Sequence, residues 1–516
     1  MAKLFPLLPF INDETPLSWA SRQAAFHTGG RLVPFLNDLE IPLLDLSRGK
    51  HDAVARLCDI TGQDPAPVFH NTITAVGKRR FTLRNLEFSA EFTTGAVTRI
   101  CPHCLAEDMA GQERPMAALR HRLHWRFASV RTCETHGVPL RDVRRGIWDD
   151  IALELQAMMP EIRTELVSPY DSAPRPVSAL QSYVLDRIAG KQGPEWLDRQ
   201  HIDQAARATE MLGGVIAFGS KQSAAKMTEA LWDVAGETAF PIVSKGSEAI
   251  SEALLAMIEA GGEEEHLARP GPTYGMLYSW LGASRLSKDP GPIRTLLREQ
   301  IINNMAVTKG QMLLGSAVTE PKISSVAYIA SYEHIHPVTL RNILRAAGLL
   351  SEGKGASKAE RTLVNYADAK EIIELTKHSV PVSQLPYVLH ASRPMVQSLI
   401  DLGLLKRLQD HDILKSKIGK SVDGRGIQNL FQFIKAQFAE VADAPVGFVD
   451  LAKAAEQCHA KLYVILELLF GGHLPSGFRL ASKQGFASLL VSPAEIKALL
   501  ASPPDGVSDE VRFHMM

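Results

Sequence analysis

Through the middle of the chain, apolar residues recur at intervals of three and four. Residues 177–189, 201–217 and 246–260 each follow this rhythm, which gathers their apolar side chains on one face of a helix. A helical domain is therefore expected over residues 177–309. Ahead of it, residues 171–176 form a polar stretch whose prolines, Pro174 and Pro176, break regular structure and suit a domain edge. The acidic run Glu263, Glu264 and Glu265 reads as a solvated turn.

The C-terminal third repeats a shorter pattern. Residues 324–331 are amphipathic, residues 332–336 form a turn, and residues 337–347 make a second helix opened by Pro337 and stopped by Gly348. Leu340, Ile343, Leu344 and Ala347 supply its apolar side. Thr339, Arg341, Asn342 and Arg345 then face outward, and these side chains can bond base edges and phosphates in a major groove. A second copy runs over 382–389, a turn at 390–392, and 393–402, and both copies end in Gly-Leu-Leu, at 348–350 and 403–405. A weaker third copy covers 448–455 and 459–470, and residues 478–490 pass through Lys483, Gln484 and Gly485 as a wing hairpin would. Arg393 and Gln397 of the second copy and Lys461 of the third join the candidate DNA contacts. The repetition predicts an array of helix-turn-helix or winged-helix units, although packing alone also produces this geometry.

Together these patterns predict a mainly α, multidomain fold. Its parts are an N-terminal module over residues 1–150, a linker over 151–176, the helical domain over 177–309, two tandem helix-turn-helix units over 320–410, and a winged-helix-like unit over 411–516. Bulk composition, with 45% hydrophobic and 22% charged residues, is that of an ordinary soluble protein. A net charge of -1 gives no overall attraction for nucleic acid, so any such site must arise from local clustering. Five cysteines are too few for a disulfide framework, and the odd number suits a reducing compartment. The apolar patch from Leu7 to Ile11 is broken by proline, and the apolar residues 462–470 are too few to cross a bilayer. A cytoplasmic protein without membrane partners is expected.

Enzyme signatures are absent from the sequence. Gly419-Lys420-Ser421 resembles the end of a phosphate-binding loop, but Leu414 stands where its first glycine is required. No histidine has a glutamate two positions later, which removes the general base of the zinc deaminases, and there is no His-Glu-x-x-His. Scattered carboxylates of a two-metal nuclease have no motif, and nothing selects a set from the 57 acidic residues. The chain is expected not to be an enzyme.

One cluster does carry chemistry. Cys101 and Cys104 form one short pair, and Cys133 and His136 form another. Two such knuckles can close a tetrahedral shell of sulfur and nitrogen donors suited to Zn2+. All four positions would be protein ligands, so the expected role is a single structural site. His103 lies inside the first knuckle and is expected to point away. Cys58 and Cys458 lack partner knuckles and read as small buried hydrophobes. From Arg114 to Arg145, eight arginines meet only Glu134 and Asp142 as acids. These arginines either cover a solvated face, with their stems on Trp125 and Phe127, or contact phosphates.

Three stretches, taken together, resemble the TniQ/TnsD family of transposition target-site selectors. They are Asp13-Glu14-Thr15-Pro16-Leu17-Ser18-Trp19-Ala20-Ser21-Arg22, then Arg99-Ile100-Cys101-Pro102-His103-Cys104-Leu105-Ala106-Glu107-Asp108, then Trp125 with Cys133-Glu134-Thr135-His136-Gly137-Val138-Pro139-Leu140. The resemblance covers roughly the first 150 residues, the length of one domain. It implies a non-catalytic adaptor that recognises a double-stranded DNA target site, directly or through an RNA-guided CRISPR effector complex. Such an adaptor recruits a AAA+ ATPase regulator, which brings in the transposase. The resemblance also implies Cys101, Cys104, Cys133 and His136 as ligands, and Trp19 and Trp125 as core. A helical scaffold that bridges a CRISPR effector to the transposition machinery is the alternative expectation.

Overall fold

The computed structural model describes residues 3–167, 173–260, 269–283, 289–350, 362–408, 421–474 and 476–512. The Glu263–Glu265 run, Asp171 and Ser172 of the expected break, and Gly419 and Lys420 lie outside the described residues. Helix dominates, at 55%. The chain divides into two compact units, residues 1–320 and 321–516.

In the first unit, local sequence decides where the opening helix starts. Thr15 accepts a hydrogen bond from the Ser18 N–H and Pro16 occupies the first turn, so the helix runs from Pro16 to His27. Its buried face carries Trp19, which packs edge-on to Phe10 and is sealed among Leu32, Leu36, Val54 and Leu57 of the next helices. Glu14 and Arg22 are buried with it. They pair at 2.6 Å, while Ser18 donates to Glu14 and accepts from the His121 N–H. The acidic-Ser-Trp-Arg segment is thus a structural staple that ties the first helix to the chain around residue 121. Trp125 is fully buried as well.

A three-stranded antiparallel sheet, Thr74–Gly77, Arg80–Leu83 and Leu86–Ser89, follows. Its Leu83 and Phe88 belong to one large apolar cluster with Phe92, Phe127 and the helices Ala179–Ile188, Ile202–Phe218 and Glu229–Val243. The last two of these cross closely because Gly213 has no side chain, leaving the Ala235 carbonyl room to approach. Part of the N-terminal module therefore shares a core with the helical segment, while Trp19 and the cysteine pairs lie in two smaller apolar clusters. The expected linker, residues 151–176, is itself partly helix, Leu155–Val167, whose Leu155, Met158 and Ile162 pack against the cysteine pairs.

In the second unit one motif occurs three times. The helix pairs are Val326–Tyr332 with Pro337–Ala346, Leu385–Val388 with Arg393–Asp401, and Leu451–Gln457 with Leu462–Phe470. Each turn passes through a histidine with positive φ, His334 at 56°, His390 at 48° and His459 at 49°. The next N–H reaches back five residues, Ile335 to Ala330, Ala391 to Pro386 and Ala460 to Ala455. This is the hydrogen bond that ends a helix through a left-handed residue. Short strands flank the pairs: Ile323–Ser325 pairs antiparallel with Leu363–Asn365, and Ser379–Pro381 with Ser421–Asp423. In the third copy Gly477–Leu480 pairs antiparallel with Leu489–Val491 in a four-stranded sheet.

Local chemistry moved two of the predicted boundaries. The first helix of the third copy begins after Asp450, whose carboxylate accepts from the Lys453 N–H, and Val449 and Asp450 are strand. In the second copy residues 382–384 form a 3-10 turn, and Pro386 stands at the start of the α-helix that follows. The predicted wing hairpin of the third copy turns inward. Phe486 is buried and its N–H donates to the Leu389 carbonyl of the second copy. Gly485 has φ 55° and lies so close to that carbonyl that a Cβ would collide with it. Gly485→Ala is therefore expected to lower stability by about 1–3 kcal/mol, read as a lower denaturation midpoint at unchanged slope.

Candidate metal centre and outward helix faces

Two local constructions bring the four sequence-predicted ligands together. Strand Thr98–Ile100 delivers Cys101 to the N-terminus of the helix Pro102–Met109, and one turn later Cys104 returns to the same side. The second knuckle closes on itself: the Cys133 N–H donates to the Val138 carbonyl, and the Gly137 N–H donates to the Cys133 carbonyl. Gly137 has φ 61°, a conformation that favours glycine in so tight a turn. Strand Arg141–Val143 then pairs antiparallel with Thr98–Ile100 and brings both knuckles to one end of a ribbon.

The ligand atoms of Cys101, Cys104, Cys133 and His136 lie within 4.8 Å of one another. His136 Nδ1 is 3.5 Å from Cys101 Sγ, 3.3 Å from Cys104 Sγ and 3.5 Å from Cys133 Sγ, and Cys104 and Cys133 are 3.6 Å apart. A tetrahedral Zn2+ with Zn–S of about 2.3 Å and Zn–N of about 2.0–2.1 Å has edges of about 3.6–3.8 Å, and these four separations lie close to that range. The three cysteines are buried among Ile100, Leu105 and Trp125. His103 stays outside the set, its ring beside that of His136 at 5.3 Å between centroids. Cys58 and Cys458 are buried and free, and neither belongs to a cluster of three or more metal-ligating groups among the described residues.

The protonation pattern shows what a cation relieves. Hydrogen bonds from Cys101 and Cys104 hold the Cys133 thiol well below its ordinary range, and contacts with Cys101 and then Cys133 push Cys104 upward. Three thiolates this close repel, so only a cation lets them all ionise. His136 is burdened by burial but raised overall by its bonds to Glu107 and Cys133. Glu107 Oε1 lies 2.9 Å from His136 Nε2, which fixes Nδ1 as the ligand atom and orients the ring. Glu107 was not singled out as functional in the sequence. Its spacing offered a signal, since it sits one helical turn after Cys104 and on the same side.

Several of the arginines between and beside the knuckles are paired with acids, while Arg114 and Arg144 are exposed and Arg122 lies over the Trp125 ring. Arg120 and Arg122 pair with Asp108 at 3.2 and 2.9 Å and with Asp13 at 3.3 and 3.8 Å. Arg131 is buried and pairs with Glu210 and Glu229, each at 2.8 Å. Arg145 pairs with Asp149 and Asp150, and Arg144 approaches Asp150. Most of the local charge surplus is thus neutralised by acids from other parts of the unit.

In the second unit, Leu340 and Leu344 are buried while Thr339, Asn342 and Arg345 are exposed and Arg341 is half-buried. The candidate contacts of the first copy therefore share the outward side of one helix. In the second copy Arg393 and Gln397 are exposed, but Gln397 donates to Asp401 at 2.7 Å, placing an acid on that face. In the third copy the helix is sunk in the core through Val464, Ile465, Leu466, Leu468 and Leu469. Lys461 stands just before it and approaches Glu510 at 3.7 Å.

Residues 6–140 match the TniQ family model. Over these residues, about a quarter of the chain, the sequence is similar to TniQ domains. The match begins before the Glu14–Arg22 staple and ends just past the second knuckle, so it contains all four clustered ligand groups. The TniQ domain associates the chain with transposition. No curated protein matches the sequence. No helix among the described residues is long and apolar enough to cross a membrane.

Glu107→Gln keeps the size but loses the carboxylate that orients His136. Metal affinity is expected to fall about 10–100-fold, measured by competition with a chromophoric chelator. Because the thiols must lose protons to bind, affinity in both proteins is expected to weaken as pH falls.

Proposed function

We propose that this protein is a non-catalytic DNA-targeting adaptor of transposition, which recognises a double-stranded target site and recruits a AAA+ ATPase regulator and, through it, the transposase. The observation that carries this reading is the joining, in one chain, of a TniQ domain to a helix pair with an outward Thr339, Asn342 and Arg345. The pair Val326–Tyr332 and Pro337–Ala346 acts as a helix-turn-helix whose second helix enters the major groove. The second and third copies extend the array in the manner of winged-helix units. The cysteine and histidine cluster holds one structural Zn2+, which braces the TniQ domain; the donor set and its spacing support that ion.

A second reading draws on the third copy. Its buried helix, inward-turned hairpin and Lys461–Glu510 approach suit a scaffold for protein contacts, such as a bridge to an RNA-guided effector. The two readings part on one measurement. As an adaptor, the purified full chain protects a specific sequence in a DNA footprint without any effector; as a scaffold, it does not.

Arg341→Ala and Arg345→Ala are each expected to weaken DNA binding and to reduce the salt slope by about one, as loss of one phosphate contact would. Unchanged affinity and slope in both would remove the first copy from the DNA surface. Elemental analysis is expected to give about one zinc per chain, and stripping it should destabilise the protein.

A further inference from the structure

Arg126, like the exposed Arg114, has no acid partner in its cluster among the described residues. Its Nη1 donates to the Gly95 carbonyl at 2.9 Å, and among the described residues it has no ion pair. Burial pulls its guanidinium down to about 10, with no neighbouring acid to oppose that pull. By accessible surface Arg126 is half-buried, and a partly desolvated guanidinium with four further N–H donors gains from an anion that meets it.

The space beside it is a cavity of about 300 Å³, at the small end of ligand-pocket sizes. Arg126 and Arg48 are the charged residues of its lining, and no acid is among them. Leu44, Leu46, Ile73 and Phe81 contribute an apolar wall, and Leu44 is 47% exposed at the rim. The recess therefore offers a fork of positive donors over an apolar floor.

We propose that this recess of the TniQ domain docks a peptide segment of a partner protein in which a carboxylate stands beside an apolar side chain. The carboxylate meets the Arg126 fork, and the apolar group fills the wall. Duplex DNA fits less well, because its phosphates recur along a backbone and need a broad basic surface, whereas this is a small recess with an apolar wall. The inference rests on the reading of the TniQ domain as the module that recruits partners, and it does not depend on the helix-turn-helix array.

The test uses the full chain and two labelled, end-blocked peptides, one centred on leucine-glutamate-leucine and the other on leucine-glutamine-leucine. Fluorescence anisotropy without DNA is expected to show the glutamate peptide binding about tenfold tighter, a difference of about 1.4 kcal/mol. Arg126→Gln should abolish the difference. Arg48→Gln, at an exposed position where folding is not at stake, should reduce it. Equal binding of the two peptides, or a difference that survives Arg126→Gln and Arg48→Gln, would overturn the proposal. Displacement of the glutamate peptide by inorganic phosphate at lower concentration than by acetate would also overturn it, since the recess would then select phosphate. Because DNA is left out, failure here leaves the footprint and the recruitment of an ATPase to be judged separately.

Discussion

A buried guanidinium needs an anion, and the first unit is organised around that requirement. Arg131 stands two residues before Cys133 and is 5% exposed, yet it carries a full charge. Glu210 and Glu229, from two different helices, neutralise it. Glu229 also reaches Arg99, two residues before Cys101. Glu229 thus holds both segments that lead to the cysteine and histidine cluster. Gln181 completes the grip: its carbonyl accepts from the Arg131 and Thr132 N–H groups, and its amide donates to the Thr132 carbonyl at 2.7 Å. A side chain here does the work of a neighbouring strand. Removing one partner of such a pair leaves an unpaired charge, typically a loss of about 3–5 kcal/mol, so the TniQ domain and the helices after it are coupled.

The second unit reuses one local solution for different ends. The turn with a left-handed histidine and a five-residue return bond appears three times, and it fixes how two helices cross without deciding what they present. In the first copy the second helix shows threonine, asparagine and arginine. In the third it shows leucine and isoleucine, and Glu467 turns inward to accept from the Ser508 N–H and hydroxyl at 2.6 Å. Backbone geometry therefore marks the repeat, and side-chain exposure separates copies able to meet DNA from copies that build the core.

Legibility in the sequence followed distance along the chain. The four ligand groups were readable because each knuckle is local, and the helix pairs were readable because periodicity, Pro337 and the Gly-Leu-Leu endings are local. The arginine cluster was not, since the acids that pair with Arg131 lie 79 and 98 residues away. Charge counting within a window sees only one side of such pairs. The helix Leu155–Val167 was hidden by Pro160 inside it and by its place in an expected linker. The inward wing of the third copy was hidden because Gly485 reads as a turn glycine, whereas the structure also uses it for close approach to another copy.

These pairings bear on where DNA affinity can arise. Counterion release rewards cations that are free to meet phosphate, and an arginine already held by two carboxylates must first lose them. By that argument the acid-paired arginines of the N-terminal module are poorly placed to meet phosphate, while Arg345 and Arg393 of the second unit are exposed. Near-zero net charge averages over the whole chain and says nothing of local faces, so it does not count against the proposed DNA-targeting role. The same logic singles out Arg126. Arg126 is half-buried beside a recess without acids and has no ion pair among the described residues, so an anion brought by a partner would supply there what Glu210 and Glu229 supply to Arg131.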